Sequence, residues 1–155
     1  MRLVIGSDHR GRELCRNLRR FLDANGDIKV DFVEPEGESI DYPDVAFGVA
    51  SAICGGRADL GILICGTGIG MCIVANKFPG VRATPCHSEL AAEFSRRFLD
   101  ANVLCLPADM LGERSSLQIV EKWLETPFEG GRHEGRLAKI REIERRHLTA
   151  SPRGV

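Results

Sequence analysis

Short apolar runs alternate with amphipathic stretches along the chain. Five of the runs have the length and composition of β-strands, namely residues 3–5, 29–33, 60–64, 81–83 and 103–106. The run LGILI at residues 60–64 is apolar throughout, as expected for a strand that is buried on both faces. Strands that alternate with helices at this chain length favour βαβ units and a parallel sheet, which is the α/β class.

Helical spacing of apolar residues predicts helices between these strands. The predicted helical segments are residues 14–22, 45–53, a stretch after Gly70, 90–98 and 117–124. Gly55 and Gly56 suit the C-terminal cap of the second helix.

The composition changes to polar and basic after Pro127. Leu137, Ile140 and Ile143 recur there at roughly helical spacing and form a thin apolar stripe. Such a helix either lies across a partner subunit or is a solvated C-terminal helix, and the pattern alone leaves both open. Residues 1–148 are predicted to form a single domain, followed by a flexible tail at 149–155.

Charge and composition exclude several classes of protein. The 155 residues are 43% hydrophobic and 28% charged, and the net charge of −1 provides no field that favours nucleic acid or an anionic membrane. No apolar run approaches the roughly 20 residues of a membrane span. Asp8 and His9 interrupt the N-terminal segment before it is long enough to form the apolar region of an export signal. Six cysteines without a C-x-x-C pair therefore indicate a reduced, cytoplasmic protein.

Ligands bind outside the carboxyl ends of the strands in an open α/β sheet. This rule selects four places, namely residues 7–9, residues 65–70, residues 86–87 and the segment from Pro107 onward.

The segment CGTGIG at residues 65–70 is the strongest chemical signal in the chain. It lacks the lysine of a P-loop, and Met71 stands where a dinucleotide fingerprint would have its third glycine. Its amides, at the start of a helix, form a site for an anion, which is either a phosphate or an oxyanion formed during a reaction. Cys65 in this position suits a nucleophile or a base, and the alternative is a buried cysteine at a strand end.

Two further groups of residues carry candidate chemistry. Asp8 and His9 can bind sugar hydroxyls, bind phosphate or exchange protons, although Asp8 can also be a helix cap with His9 exposed. Arg132 and Arg136 share one helix face and suit a phosphate, unless that face is only solvated. The histidines form no H-x-x-x-H pattern, so no metal site is expected.

These elements together resemble the type B ribose-5-phosphate isomerase family, which also contains the galactose-6-phosphate isomerase subunits. The resemblance covers about residues 1–145. It rests on GSDHRG at 6–11, DYPD at 41–44, CGTGIGM at 65–71, ANK at 75–77 and GGRH at 130–133.

The resemblance implies a Rossmann-like three-layer sandwich with a five-stranded parallel sheet. It also implies a homodimer or tetramer with shared active sites, in which the C-terminal helix reaches a partner subunit. The implied reaction is aldose–ketose isomerisation of a phosphorylated sugar through a cis-enediolate, without metal or cofactor. Ribose 5-phosphate to ribulose 5-phosphate is the most direct expectation.

The resemblance also implies roles for individual residues. Cys65 matches the catalytic base, and another branch of the family has glutamate at the position of Met71 instead. The enediolate would be stabilised by Thr67 and by the amides of Gly66, Gly68, Ile69 and Gly70. Asp8 and Tyr42 match residues that line the sugar. His9, Arg132 and Arg136 match phosphate contacts, and the neighbouring subunit would contribute the two arginines.

The chain departs from the family pattern between the fourth helix and the fifth strand. Phe98 stands where a histidine is expected to help open the sugar ring, and Leu99 replaces an asparagine that binds sugar hydroxyls. Neither residue can transfer a proton or bond a hydroxyl.

Three hypotheses follow from this departure. The chain isomerises another sugar phosphate, such as a tetrose or hexose, or uses a different group such as His87. Alternatively, it is one subunit of a hetero-oligomer. The third hypothesis is a protein that only binds sugar phosphates, and the intact Cys65 loop counts against it.

Overall fold

The computed structural model describes residues 1–24, 28–33 and 41–149. Its five strands are β1 (Arg2–Ser7), β2 (Lys29–Val33), β3 (Leu60–Cys65), β4 (Ala83–Pro85) and β5 (Val103–Pro107). All pairings are parallel, and the strand order is β2-β1-β3-β5-β4. The predicted five-stranded parallel sheet is therefore confirmed. Residues 150–155 of the predicted tail lie outside the described residues.

Helices cover both faces of the sheet and complete three layers. They are α1 (Arg12–Asp23), α2 (Tyr42–Cys54), α3 (Ile69–Ala75), α4 (Glu89–Leu99), α5 (Glu113–Glu125) and α6 (Arg132–Thr149). One face packs against α2 and α3, and the other packs against α1, α4 and α5. The described helices include none that combines the length and apolar character needed to cross a membrane.

Strand β3 contributes to both hydrophobic cores because its side chains alternate between the two faces. Leu63 packs in the core on the α2 and α3 side, whereas Ile62 and Ile64 pack on the α1 and α5 side. All three side chains are fully buried. Burial of each is worth about 1.5–3 kcal/mol, so this strand anchors the sheet.

The fourth strand begins two residues later than its pattern predicted. The Arg82 amide donates to the side-chain oxygen of Asn102 at 2.8 Å, which takes it out of the strand ladder. Regular pairing with β5 starts only at Ala83, opposite Val103, and Pro85 ends the strand. Helix α3, by contrast, begins earlier than predicted, at Ile69 and not after Gly70.

Helix α6 packs only partly against its own chain. His133 and Leu137 are buried, while Ile140 and Ile143 remain 46% and 57% exposed. A side-chain oxygen of Glu144 accepts a hydrogen bond from the Gly80 amide at 2.9 Å, beyond the amino end of β4. Only the first part of the apolar stripe, at Leu137, is therefore buried within the chain. The contact of the remaining part with a partner subunit stays a prediction.

Gly11 allows α1 to begin directly against the carboxyl end of β3. A Cβ at Gly11 would lie 2.6 Å from the carbonyl oxygen of Ile64, which is closer than real Cβ contacts allow. The absence of a side chain therefore fixes the approach of α1 to the strand end that precedes Cys65.

We expect Gly11→Ala to lower the free energy of unfolding by about 1–3 kcal/mol, because the added methyl group must displace this backbone contact. The control is Gly135→Ala, where the new Cβ meets nothing within 4 Å. That change should raise the free energy of unfolding by about 0.5–1 kcal/mol, as alanine favours the helix. Urea denaturation measures both, and equal effects of the two changes would contradict the expectation.

Candidate active site

The segment after β5 holds the start of the 65–70 loop in place. The Ala108 amide donates to the carbonyl of Cys65 at 2.8 Å, and the Asp109 amide donates to the carbonyl of Gly66 at 3.0 Å. Both carbonyls are therefore hydrogen-bonded to the segment that follows β5, which fixes the course of the loop.

The Cys65 side chain is held inside the loop that follows it. Cys65 is 5% exposed, and its Sγ accepts a hydrogen bond from the Gly68 amide at 3.2 Å. Cys65 is therefore a buried cysteine at a strand end, which was the structural alternative, but its sulfur is also hydrogen-bonded to the glycine loop. This arrangement places a polarisable nucleophilic atom next to backbone donors.

Two features require glycine at position 68. Its φ is +73°, in the left-handed region that favours glycine. A Cβ there would also lie 3.3 Å from the carbonyl group of Cys105. Thr67 beside it is exposed, and its Oγ1 accepts a hydrogen bond from the Ile69 amide at 3.3 Å. The turn thus leads directly from Cys65 into α3.

Tyr42 lies against this loop, and its role in lining the sugar stays a prediction. Asp41 caps α2 by accepting a hydrogen bond from the Tyr42 amide at 2.8 Å. This bond fixes the position of Tyr42 as the first residue of the helix. A Cβ at Gly70 would lie only 2.7 Å from the Tyr42 ring. The ring, 40% exposed, thus forms one wall beside the loop.

Asp8 is buried next to the end of β3. Its amide donates to the Ile64 carbonyl at 3.1 Å, and its Oδ1 accepts the amides of Arg10 and Gly11 at 2.9 and 3.1 Å. It therefore stabilises the turn before α1 and is not the cap of the helix, since the capping position is Gly11. Its second oxygen has no hydrogen bond within the described residues, and His9 beside it is exposed.

None of the other cysteines forms a disulfide within the described residues, and three of them, Cys72, Cys86 and Cys105, are buried in the hydrophobic cores. The pKa of Cys105 is raised well above its ordinary value by its hydrogen bond with Cys72 and by burial. Burial also raises the pKa of the Cys86 thiol. Of the six cysteines, only Cys65 has its sulfur bonded by an amide of the glycine loop.

Sequence reasoning missed an ion pair that lies across Gly66. The Nε of Arg10 is 2.5 Å from Oδ2 of Asp109, and this hydrogen bond raises the pKa of Arg10. A Cβ at Gly66 would lie 2.5 Å from the same oxygen and 3.0 Å from the same nitrogen. Both residues follow strand ends that the carboxyl-end rule had selected, but nothing local in the sequence pairs them.

A single chain does not bring Arg132 and Arg136 to the loop. Both are exposed, and no hydrogen bond or salt bridge of the described residues joins them to residues 65–70. Helix α4 starts at the carboxyl end of β4 and returns to the amino end of β5, over about 16 Å. The first turn of α6 packs where α4 ends, so the arginines lie at the opposite end of the sheet from Cys65.

Phe98 belongs to an aromatic stack at that opposite end. Its ring lies 4.8 Å from the ring of His133 at an interplanar angle of 22°, and 5.0 Å from the ring of Phe94. Leu99 beside it is 45% exposed. His87 is exposed at the carboxyl end of β4, two strands and about 10 Å from β3.

Known proteins are similar in sequence to almost the whole of this chain. Ribose-5-phosphate isomerase B of Escherichia coli is 41% identical over 145 residues, which are 94% of this chain and 97% of that protein. D-erythrulose-4-phosphate isomerase of Pectobacterium atrosepticum is 40% identical over 139 residues, which are 89% and 91%.

Similarity to a solved structure supports the same grouping. The ribose-5-phosphate isomerase B of Clostridium thermocellum has a TM-score of 0.90 at 45% identity, covering 95% of this chain and 99% of that one. Residues 3–140 match the profile described as Ribose/Galactose Isomerase. The chain belongs to the Ribose/Galactose Isomerase family.

Proposed function

We propose that the chain is an aldose–ketose isomerase of phosphorylated sugars that interconverts ribose 5-phosphate and ribulose 5-phosphate. The observation that carries the proposal is the Cys65 sulfur, held by the Gly68 amide within a glycine loop at the carboxyl end of β3. The similarity to ribose-5-phosphate isomerases B supports this choice of substrate.

The reaction needs a base and donors for a developing negative oxygen. The Cys65 thiolate removes the proton from C2 of the open-chain aldose, and the C–H electrons form the C1–C2 double bond as the carbonyl oxygen becomes negative. Donors of the loop stabilise this enediolate. The proton then returns to C1 while the C2 hydroxyl passes its own proton to the negative oxygen on C1, which yields the ketose with its C1 hydroxyl and C2 carbonyl.

Neighbouring residues supply positioning in this proposal. The unbonded oxygen of Asp8 and the ring of Tyr42 line the sugar, Thr67 contributes its hydroxyl to the enediolate, and His9 contacts the phosphate. The predicted single domain over residues 1–148 would bring Asp8, His9, Tyr42 and Thr67 together at one edge of the sheet.

The remaining phosphate contacts come from a second copy of the chain. Arg132 and Arg136 lie at the opposite end of the sheet from Cys65 in their own chain, so a second subunit would have to present them to the loop. The half-exposed side chains of Ile140 and Ile143 provide apolar area for such a contact. The proposed assembly is a homodimer, or a tetramer built from dimers, with shared sites.

The first test is an isomerase assay of the purified protein with ribose 5-phosphate. Cys65→Ala should lower kcat by about 100-fold to 10,000-fold, the range typical of losing a positioned base. Cys54→Ala removes an exposed thiol elsewhere and should leave kcat unchanged. Turnover that survives Cys65→Ala would refute the base, and no turnover by the wild type would refute the substrate.

The shared site has its own test, which mixes two inactive variants. Subunits carrying Cys65→Ala and subunits carrying Arg136→Ala should regain about a quarter of wild-type activity, because half of the dimers are hybrids and each has one intact site. The control mixes Cys65→Ala with Thr67→Ala, both on the same loop, and should regain nothing. Failure of the first mixture would contradict shared sites, as would a monomer in gel filtration.

A second candidate substrate is a tetrose phosphate such as D-erythrulose 4-phosphate. Phe98 offers no group for ring opening and is fixed in an aromatic stack. A four-carbon sugar esterified at C4 cannot close a five-membered ring, so it does not need that group. The relative from Pectobacterium acts, by its name, on such a compound.

Phe98→His distinguishes the two substrates. If the four-carbon sugar is the preferred substrate, wild-type kcat/KM is higher for it, and the new imidazole should raise kcat/KM for ribose 5-phosphate alone. Phe94→His, one helical turn earlier, is the control and should raise neither value. Equal gains for both substrates, or none, would show that ring opening does not determine the choice.

A further inference from the structure

Arg10 and Asp109 form a charged bridge over the glycine loop that the mechanism has not used. The pair joins the loop after β1 to the loop after β5, and both side chains pass over Gly66. Their side chains are 55% and 37% exposed, so a ligand in the site can reach them.

Arg10 retains hydrogen-bond donors beyond those that Asp109 occupies. Its Nε donates to Asp109, whereas the two terminal nitrogens make no hydrogen bond to the described residues. A guanidinium group has five N–H donors, so it can bond a carboxylate and a phosphate at the same time.

The charges around Arg10 determine the side from which an anion can approach. A cavity of about 260 Å³ lies between Arg10, α1 and the start of α5, and the carboxylates of Glu13 and Glu113 line it. These carboxylates repel an anion. On the loop side, Arg10 is next to His9. The nearby Asp8 accepts two amide hydrogen bonds with its Oδ1, which offset part of its negative charge, and its second oxygen is unbonded within the described residues.

We propose that Arg10 is a phosphate ligand of this active site and that Asp109 is its positioning residue. The proposal rests on the proposed function and adds to it a cation that the same chain supplies. Arg10 would bind the phosphate together with His9, while Asp109 holds the guanidinium over Gly66 through the Nε bond.

A second ion pair provides a matched control. Arg2 and Asp59 are joined at 2.6 Å, with side chains 47% and 46% exposed, at the amino ends of β1 and β3. The two pairs are similar in length and exposure but lie at opposite ends of the sheet. A purely structural role for Arg10 would make its removal resemble the removal of Arg2.

The experiment measures KM and kcat for ribose 5-phosphate, and calorimetric binding of inorganic phosphate, in the full-length protein. Arg10→Ala should raise KM and the Kd for phosphate by about tenfold to 100-fold, the effect of a lost charged hydrogen bond, with kcat changed less than threefold. Arg10→Lys should recover part of both losses. Arg2→Ala should change neither constant.

The Asp109 variants test positioning. Asp109→Ala should raise KM and the phosphate Kd nearly as much as Arg10→Ala, and Asp109→Asn should raise them less, because its amide oxygen still accepts the Nε bond. If Asp109→Ala leaves both constants within twofold of the wild type, Asp109 does not position Arg10.

Phosphate binding also separates this proposal from the proposed function. If the wild type binds phosphate through Arg10 but does not turn over ribose 5-phosphate, the proposed substrate is wrong and the proposal that Arg10 binds phosphate is supported. Unchanged phosphate binding in Arg10→Ala, or no phosphate binding by the wild type, would overturn the proposal even if isomerase activity is present.

Discussion

The pairing of β3 between β1 and β5 is the constraint on which the site depends. Both neighbours are hydrogen-bonded to β3 along its length, and its side chains are buried on both faces. Cys65 is the last residue of this strand, so its backbone is as rigid as the sheet. Freedom begins only at Gly66, which the Asp109 amide then restrains. A reactive group on such a rigid element holds its geometry without help from the ligand.

The sequence predicted what local patterns determine. The apolar run of β3 and the following glycines predict the strand, the loop and the position of Cys65, because both signals lie within residues 60–70. The Arg10–Asp109 pair joins residues 99 positions apart and has no periodic signal. The resemblance indicated Tyr42 only as a residue that lines the sugar. Its close approach to Gly70 has no local signal in the sequence, since it depends on how α2 packs against α3.

Helix α4 runs between the two ends of the sheet at which the groups of the proposed site lie. One end carries Cys65 and the loop, and the other carries Phe98 and the first turn of α6. In the proposed shared site each subunit holds two half-sites, so a folded monomer would be inactive. Activity would then depend on protein concentration even where the stability of the fold does not.

The stack of Phe98 on His133 has a consequence for how such enzymes diversify. The two rings belong to α4 and α6, and no aromatic contact among the described residues joins them to residues 65–70, which carry the proposed base. In the proposed function, substitutions in the stack would alter which sugar is accepted while leaving Cys65 and its loop unchanged. Evolution would then vary the region around Phe98 and keep the 65–70 loop. After gene duplication, a hetero-oligomer would combine the loop of one subunit with the altered Phe98 region of the other.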